Sequence, residues 1–328
     1  MIYPIQRIDV PKRLTKMLVG GVVAIGNFDG VHRGHRAVLD RALEIAEVAK
    51  RPALVLTFEP HPRSVFQPEK PVFRLTPAPL KAELLGALRF DGVVEQPFTR
   101  EFAGLSADEF IQSILIDGLK ASHVVTGFDF HFGKARQGGP AFLMDAGKAH
   151  GFDVTLVDAF RDEGAEVVSS SRIRDRLAAG DASEAAGLLG YRYVVSAPVI
   201  KGKQLGRTLG FPTANMALPD ENRLAHGIYA VRFRTQQGTL HDAVASFGRR
   251  PTVDSDGTPL LETFVFDFDD DLYGQTCEVS FFGFLRGEEK YDGLDALMVQ
   301  MRQDEAEARA LLAGAVPFSN LDAAINFT

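Results

Sequence analysis

The first half of the chain alternates between two patterns of hydrophobic and polar positions. Short apolar runs predict buried strands at Val22–Ile25, Leu54–Phe58, Val93–Val94, Val124–Thr126 and Val154–Val157. Between the runs, apolar residues recur at helical spacing after Val38 and Leu80, and Thr76 is a candidate cap for the Leu80 helix. Ser106 and Glu109 have the spacing of a capping box for a third helix. Strands that alternate with helices predict a parallel sheet covered on both faces, with ligands at the carboxyl ends of the strands.

The second half has a different pattern, in which strand-like runs are separated by turn residues. The runs are Tyr193–Ile200, Gly227–Arg234, Ala243–Phe247, Leu260–Phe268 and Cys277–Phe282. This pattern predicts a small antiparallel barrel or sandwich, followed by a helix over residues 292–312. Because the pattern changes near residue 188, we predict an α/β domain over 1–187, a β-barrel domain with its helix over 188–313, and a tail over 314–328.

Composition narrows the class of protein. The chain has 328 residues, of which 45% are hydrophobic and 24% charged, as expected for two globular domains. No apolar run reaches the roughly 18 residues of a membrane helix, so no membrane role is expected. The net charge is −7, and residues 1–185 hold 23 basic and 24 acidic side chains, so neither half has the basic surplus of a nucleic-acid binder. The single cysteine, Cys277, excludes an internal disulfide and fits a reducing cytoplasm.

A glycine-rich polar segment directly follows the first predicted strand and overlaps the start of the first predicted helix. It reads Gly26-Asn27-Phe28-Asp29-Gly30-Val31-His32-Arg33-Gly34-His35. A helix N-terminus favours phosphate, and glycines allow the backbone to approach a ligand closely. The two histidines, three positions apart, can share one face of the first turn and donate hydrogen bonds to phosphate oxygens. With no nucleophile present, direct displacement at phosphorus is favoured, although a glycine-rich turn with two surface histidines also fits the pattern.

A second candidate segment lies early in the β-rich half. It reads Gly206-Arg207-Thr208-Leu209-Gly210-Phe211-Pro212-Thr213-Ala214-Asn215. Such a loop can bind phosphates through its N–H groups while Thr and Asn oxygens hold Mg²⁺, but a β-turn with an Asn cap is the alternative. It lacks the spacing of a Walker A loop. Glu262, on a later predicted strand, is a candidate proton acceptor or simply a solvated strand residue.

Together these segments resemble one enzyme family. The first resembles the HxGH motif of nucleotidyltransferases and, more closely, the amino-terminal FMN adenylyltransferase module of prokaryotic bifunctional riboflavin kinase/FAD synthetases. Further matches to that module are Thr57–Pro62, Gly127–Gly133 and Ser169–Arg174. The second segment is nearly identical to the flavokinase signature, and the other matches to that module are Gly227–Val231, Gly248–Thr252, Leu261–Thr263, Asp271–Gly274 and Phe284–Arg286. The resemblance covers roughly residues 20–310.

The resemblance implies an α/β nucleotidyltransferase domain with a Rossmann-like sheet, followed by a flavokinase barrel. It implies that the barrel phosphorylates riboflavin with ATP to FMN, and that the first domain adenylylates FMN to FAD and pyrophosphate, with Mg²⁺ in both steps. His32, His35 and Glu262 are the implied catalytic residues, with Glu262 as general base. The implied ATP-binding residues include Gly26–Gly30, His32, Gly34, His35, Ser170, Ser171, Arg172, Arg174, Gly206, Arg207, Gly210, Thr213 and Asn215. The flavin would contact Phe58, Pro60, His61, Asp129, Phe130, Glu262 and Arg286, and Mg²⁺ would bind Thr213 and Asn215.

Three departures from the family pattern stand at Arg136–Pro140, Ser246 and Lys201–Lys203. Because of the departure at Arg136–Pro140, nucleotide contacts from that loop are not expected. The alternatives to a bifunctional enzyme are a chain that retains one activity, a non-catalytic flavin sensor, or another HxGH adenylyltransferase. The expected partners are small-molecule substrates, with apo-flavoproteins as recipients of FMN and FAD. The sequence sets no oligomeric state.

Overall fold

A computed structural model describes residues 5–9, 14–202, 211–249 and 257–328. The chain divides into two compact units, an α/β unit over residues 2–169 and a barrel unit over residues 170–328. The two units are described separately.

The α/β unit is built on a parallel sheet in the order β1-β4-β3-β2-β5-β6. The strands are β1 (Gln6–Ile8), β2 (Val22–Ile25), β3 (Ala53–Glu59), β4 (Gly92–Pro97), β5 (His123–Gly127) and β6 (Asp153–Val157). The helices are α1 (Arg33–Ala49), α2 (Pro62–Phe66), α3 (Ala78–Ala87), α4 (Ala107–Phe110), which runs on as a π-helical segment Ile111–Gly118, and α5 (Pro140–His150). All four residues of β2 are buried, which explains its uninterrupted apolar sequence. The α/β fold expected from the sequence is confirmed.

Local predictions in this unit had mixed outcomes. The capping box is confirmed, since the Ser106 Oγ accepts from the Glu109 N–H at 3.1 Å and the Glu109 carboxylate accepts from the Ser106 N–H at 2.7 Å. The prediction that Thr76 caps α3 is wrong. Pro77 is the N-cap and makes no side-chain cap bond, whereas the Thr76 hydroxyl accepts from the Gly30 N–H at 2.8 Å. The Thr76 hydroxyl, which local spacing assigned to the helix as a cap, is therefore hydrogen-bonded to a distant loop.

The barrel unit begins with two helices. Six antiparallel strands follow and form a closed barrel in the order β10-β11-β8-β7-β12-β9, in which β9 also pairs with β10. Its elements are α6 (Ser170–Ala178), α7 (Ala182–Leu189), β7 (Val194–Ile200), β8 (Thr213–Ala217), β9 (Gly227–Arg234), β10 (Leu240–Arg249), β11 (Pro259–Val265), β12 (Thr276–Arg286), α8 (Leu294–Ala313) and α9 (Asn320–Asn326). Buried and half-buried residues alternate along β11, as a barrel wall requires. The predicted barrel with its helix, α8, is confirmed.

Two features of this unit differ from the sequence interpretation, and a third is untested. Thr213–Asn215 lies on strand β8 and not in a turn, because Ala214 and Met216 are buried and alternate with the polar positions. The strand predicted over Leu260–Phe268 ends at Val265, shortly before a residue with positive φ, Asp267. Helices α6 and α7 lie in the barrel unit, whereas the predicted domain boundary, 187/188, falls after α6 and within α7. That boundary stays a prediction.

The tail over residues 314–328 is part of the barrel unit through α9. The Arg192 guanidinium is buried in an ion pair with Asp322 and donates to the Val316 carbonyl at 2.9 Å. The Arg192 Cζ also lies 4.5 Å and 4.2 Å from the ring centroids of Phe282 and Phe318. A buried ion pair and two aromatic faces thus attach the C-terminal segment to the strand region that begins at β7.

Candidate active sites

Three of the predicted site segments meet at one edge of the parallel sheet. Strand β2 pairs with β3 on one side and with β5 on the other, and all three run in the same direction. Their carboxyl ends lead into Gly26–His35, Phe58–His61 and the segment that holds Asp129 and Phe130. The structure therefore brings these segments together at the edge where parallel sheets bind ligands.

The two histidines of the first segment are stacked at the start of α1. His32 is the N-cap, and its Nδ1 accepts from the His35 N–H at 3.2 Å. The two rings lie 3.5 Å apart between centroids and 18° from parallel. A Cβ on Gly34 would lie 2.9 Å from the Val168 carbonyl oxygen and 3.1 Å from the His32 ring, so glycine is required there. Two imidazoles at the positive end of a 17-residue helix form a suitable site for an anion.

The buried side chain of Asp29 anchors the Gly26–His35 loop to residues 74–76. Its carboxylate is only 2% exposed and accepts from the N–H groups of Leu75 and Thr76 at 3.1 Å and 3.0 Å. It also accepts from the Arg74 Nε at 3.3 Å. The carboxylate of Asp29 is thus engaged with residues 74–76, and its expected contact with ATP stays a prediction.

A second carboxylate extends this network to the end of β3. Glu59 accepts two hydrogen bonds from Arg74, each 2.8 Å long, and one from the Lys81 Nζ at 2.8 Å. Burial alone would raise the pKa of Glu59, but the hydrogen bonds and positive charges of Arg74 and Lys81 hold that pKa at about 2. Sequence reasoning missed Arg74 and Lys81, because basic residues in a predicted loop and on a predicted helix give no signal of burial.

The loop that carries the histidines has two residues with unusual backbone conformations. Phe28 has φ of 47° and the β-branched Val31 has φ of 40°. Such conformations each cost about 1–3 kcal/mol and persist where the surroundings fix them. Here the hydrogen bonds of Asp29 and Gly30 fix the two residues that lie between Phe28 and Val31. The geometry of the histidine pair therefore depends on this network.

The predicted flavin residues of this unit lie beside a cluster of phenylalanines. Phe58 is buried, Pro60 and Asp129 are exposed, and the Nδ1 of the half-buried His61 accepts from the Arg63 N–H at 3.2 Å. Phe130 stacks on Phe132 with 5.5 Å between centroids. Sequence reasoning missed the rings that continue the cluster past Phe58, namely Phe66, Phe98 and Phe102. A count of 25 phenylalanines was the only available signal.

The predicted phosphate-closing residues lie on α6 in the barrel unit. Ser170 begins the helix, and Ser171, Arg172 and Arg174 follow in its first two turns. The Arg172 Nη2 lies 3.4 Å from the Glu184 carboxylate on α7. Their contact with the phosphates of ATP stays a prediction.

The barrel site is assembled by strand register. Glu262 on β11 pairs with Asn215 on β8 and with Ser246 on β10. Residues directly opposite one another project from the same face of a sheet, so these three side chains share one face. Their strand neighbours Leu261 and Thr263 are fully buried on the other face. The structure thus brings Glu262 and Asn215 together, and their roles stay predictions.

Asn215 has an acceptor available for a cation. Its Nδ2 donates to the Thr213 carbonyl at 3.1 Å and to the Thr213 Oγ1 at 3.3 Å, whereas its buried Oδ1 has no hydrogen-bond partner among the described residues. A cavity of about 370 Å³ adjoins both residues and is also lined by Asp269–Tyr273. Hydroxyl and amide oxygens beside an acidic loop fit the ligand preference of Mg²⁺. Gly206, Arg207 and Gly210 lie outside the described residues.

Two further contacts shape the barrel site. A Cβ on Gly202 would lie 2.7 Å from the Asn215 amide, so the backbone at Gly202 packs directly against that side chain. Arg286, at the end of β12, donates to both carboxylate oxygens of Asp304 on α8 at 2.8 Å and 2.6 Å. Sequence reasoning missed Asp304, which is 4% exposed and fixes the guanidinium predicted to lie near the flavin.

The folds and the two sites together define a two-unit transferase of nucleotides and phosphoryl groups. The family model for FAD synthetase matches residues 15–172, and that for riboflavin kinase matches residues 189–312. The chain is 38% identical to the bifunctional riboflavin kinase/FMN adenylyltransferase of Listeria monocytogenes over 90% of its own length and 93% of that protein's. The Pseudomonas fluorescens protein of the same name is 41% identical, over 90% and 94% of the two chains. The chain belongs to the bifunctional riboflavin kinase/FMN adenylyltransferase family.

A solved structure extends the likeness to nearly the whole chain. It is titled as a macrolide-efflux protein from Streptococcus pneumoniae and matches with a TM-score of 0.81 and 30% identity, covering 94% of this chain and 99% of its own. Within the part of the chain that the structure describes, no helix has both the length and the apolar character needed to cross a membrane.

Proposed function

We propose that this chain makes FMN and FAD in two ATP-dependent steps, one in each unit. Family membership supports both activities. The observation that carries the proposal is that two pairs of candidate reacting residues stand in separate units: the stacked His32 and His35 at the start of α1, and Glu262 in register with Asn215.

In the α/β unit the proposed reaction is adenylyl transfer. A phosphate oxygen of FMN attacks the α-phosphorus of ATP, the bond to the β-phosphate oxygen breaks, and pyrophosphate leaves with that electron pair. His32 and His35 donate hydrogen bonds to the phosphate oxygens as negative charge shifts onto them, assisted by the positive end of the α1 dipole. Gly26–Gly30, Gly34, Ser170, Ser171, Arg172 and Arg174 complete the proposed ATP site. Phe58, Pro60, His61, Asp129 and Phe130 form the proposed flavin side.

In the barrel unit the proposed reaction is phosphoryl transfer. Glu262 accepts the proton of the ribityl 5′-hydroxyl of riboflavin as that oxygen bonds to the γ-phosphorus of ATP and ADP leaves. Thr213 and Asn215 would hold Mg²⁺, which supplies neutralisation of phosphate charge. Gly206, Arg207 and Gly210 are proposed to bind the phosphates, and Arg286 is proposed to lie beside the flavin, fixed by Asp304.

Further parts of the proposal concern organisation and surroundings. We propose folding domains over 1–187 and 188–313, with 314–328 as an extension of the second. A cytoplasmic location is proposed because both reactions consume ATP, and apo-flavoproteins are the proposed recipients of the products. The sensor alternative is disfavoured because His32, His35 and Glu262 are all present.

The direct test is a time course with purified full-length protein, riboflavin, ATP and Mg²⁺, in which chromatography resolves riboflavin, FMN and FAD. We expect FMN to appear first and FAD later. FMN alone would support the one-activity alternative and direct attention to Arg136–Pro140. Bound but unconverted riboflavin would contradict the proposal in favour of a sensor.

A further inference from the structure

Lys81 is a buried cation directly beneath the loop that carries the histidine pair. It lies on α3, is 1% exposed, and its Nζ donates to three acceptors. These are the Thr57 Oγ1 at 2.9 Å, the Glu59 Oε1 at 2.8 Å and the backbone carbonyl oxygen of Asn27 at 3.0 Å. An ammonium group has three donors, so each donor of Lys81 is used.

The three acceptors belong to two of the segments that form the edge site. Asn27 opens the turn that leads to His32, while Thr57 and Glu59 end β3 just before Pro60. The Thr57 hydroxyl also donates to the Asn27 carbonyl at 3.0 Å, so that oxygen has two donors. Lys81 thereby fixes the distance between the nucleotide-side loop and the flavin-side strand end.

The charges around Lys81 are balanced. Lys81 and Arg74 face the carboxylates of Glu59 and Asp29, and Arg74 bridges the two carboxylates. Removal of the lysine charge would leave one excess buried negative charge beneath a site proposed to bind the triphosphate of ATP. Loss of the Lys81 contacts would displace the loop, and loss of its charge would repel the triphosphate. Both effects would disfavour binding of ATP in its reactive position.

We propose that Lys81 is a positioning residue for adenylyl transfer, holding the Asn27 carbonyl and thus the loop that presents His32 and His35. This inference rests on the adenylyl transfer proposed above for the α/β unit. Lys81 touches no substrate in the proposal, because its three donors are taken by protein acceptors.

The test compares Lys81→Met, Lys81→Arg and the exposed-site control Lys148→Met in the full-length chain. For Lys81→Met we expect kcat of FAD formation from FMN to fall about 100-fold, with KM for ATP changed less than about fivefold, as for loss of a positioned reactive geometry. Lys81→Arg, which keeps the charge, should regain about a tenth or more of the wild-type kcat. Riboflavin phosphorylation by the same protein serves as the internal control and should stay within about twofold of wild type.

Two further measurements separate positioning from a folding defect. Amide hydrogen exchange should speed up at residues 26–32 in Lys81→Met and stay unchanged in the β2 and β3 strands. Thr57→Val, which removes one acceptor of Lys81 without removing charge, should lower kcat of adenylylation about tenfold even if Lys81→Met is too unstable to assay. Near-wild-type kcat in Thr57→Val and in folded Lys81→Met would overturn the inference, as would accelerated exchange throughout the sheet. A wild-type chain that makes FMN but no FAD would instead refute the proposed function, and the inference with it.

Discussion

The two sites of this chain are held in place by different physical means. In the α/β unit, His32 and His35 lie at the start of α1, after a turn whose buried Asp29 carboxylate is hydrogen-bonded to the distant residues Leu75 and Thr76. In the barrel unit, Glu262 and Asn215 lie on paired strands, and the backbone hydrogen bonds of the barrel fix their register. One site is therefore positioned by side chains, and the other by the backbone ladder.

The difference teaches where each site is vulnerable. A backbone ladder does not depend on the identity of any one side chain, so substitutions near Glu262 act through the reacting groups themselves. A turn with positive φ at Phe28 and Val31 has no such ladder and needs its anchors. Substitutions several residues from the histidines should therefore disturb adenylylation as severely as substitutions within the motif.

The largest expected effect comes from Asp29→Ala. The change leaves the buried N–H groups of Leu75 and Thr76 without their acceptor and removes a partner of Arg74. We expect a loss of about 3 kcal/mol in the free energy of unfolding, measured with urea, because two buried N–H groups lose their acceptor and Arg74 loses one of its two carboxylate partners. FAD formation should fall more than about 100-fold while riboflavin phosphorylation is retained. The exposed Asp108→Ala is the control, and an unaltered rate of FAD formation in Asp29→Ala would contradict the comparison.

In the barrel unit, Asp322→Ala should lower stability without lowering activity. This change breaks the buried ion pair with Arg192 and should also cost about 3 kcal/mol in the free energy of unfolding. Because the pair anchors α9 and not the β8–β11 register, kcat of riboflavin phosphorylation at 25 °C should change less than about threefold. Asp295→Ala, at an exposed position of α8, is the matched control. A collapse of kcat in folded Asp322→Ala would show that the barrel site also depends on distant charge.

Acid should weaken the α/β network through Glu59. Its pKa is about 2 in the folded chain against 4.5 as a reference, so its stabilisation is complete above pH 4.5 and is lost as the pH falls through 2. Between pH 7 and pH 3 this loss amounts to about 1–2 kcal/mol after allowance for solvent screening. Urea unfolding at the two pH values should show this loss in wild type and a smaller one in Glu59→Gln. Equal losses in both proteins would exclude Glu59 as the source.

The smallest expected effect concerns the close approach to Asn215. The Cβ added by Gly202→Ala would lie 2.7 Å from the Asn215 amide, which must then shift. We expect KM for ATP in riboflavin phosphorylation to rise about fivefold. Gly187→Ala, where an added Cβ meets no atom within 4 Å, should leave KM unchanged. An unchanged KM in Gly202→Ala would argue against Asn215 as part of the nucleotide site.

Sequence reasoning predicted what depends on local pattern. Strand β9, Gly227–Arg234, and strand β2, Val22–Ile25, agree with the apolar runs residue for residue, and the capping box at Ser106 is present. The motif positions of the first site were found because they are consecutive in the chain.

What sequence reasoning missed depends on contacts between distant segments. Thr76 has the spacing of a helix cap, yet a loop 46 residues away takes its hydroxyl. Lys81 has the composition of an exposed helix position, yet it is buried by Glu59 and Thr57. Both sequence interpretations of Thr213–Asn215, a phosphate-binding loop and a β-turn, missed strand β8, because polar residues alternate there with buried apolar ones. The local pattern of hydrophobic and polar residues does not indicate hydrogen-bond partners from distant segments.

The central claim is that the two reactions use separate sets of residues, and it is tested by reciprocal variants of the full-length chain. His32→Ala with His35→Ala, and separately Glu262→Ala, would be assayed for FMN formation from riboflavin and for FAD formation from supplied FMN. We expect the histidine variant to lose FAD formation by about 10²–10⁴-fold with FMN formation within twofold of wild type, and Glu262→Ala to show the reverse. If either change abolished both activities in a chain that remains folded, the two-site account would be contradicted.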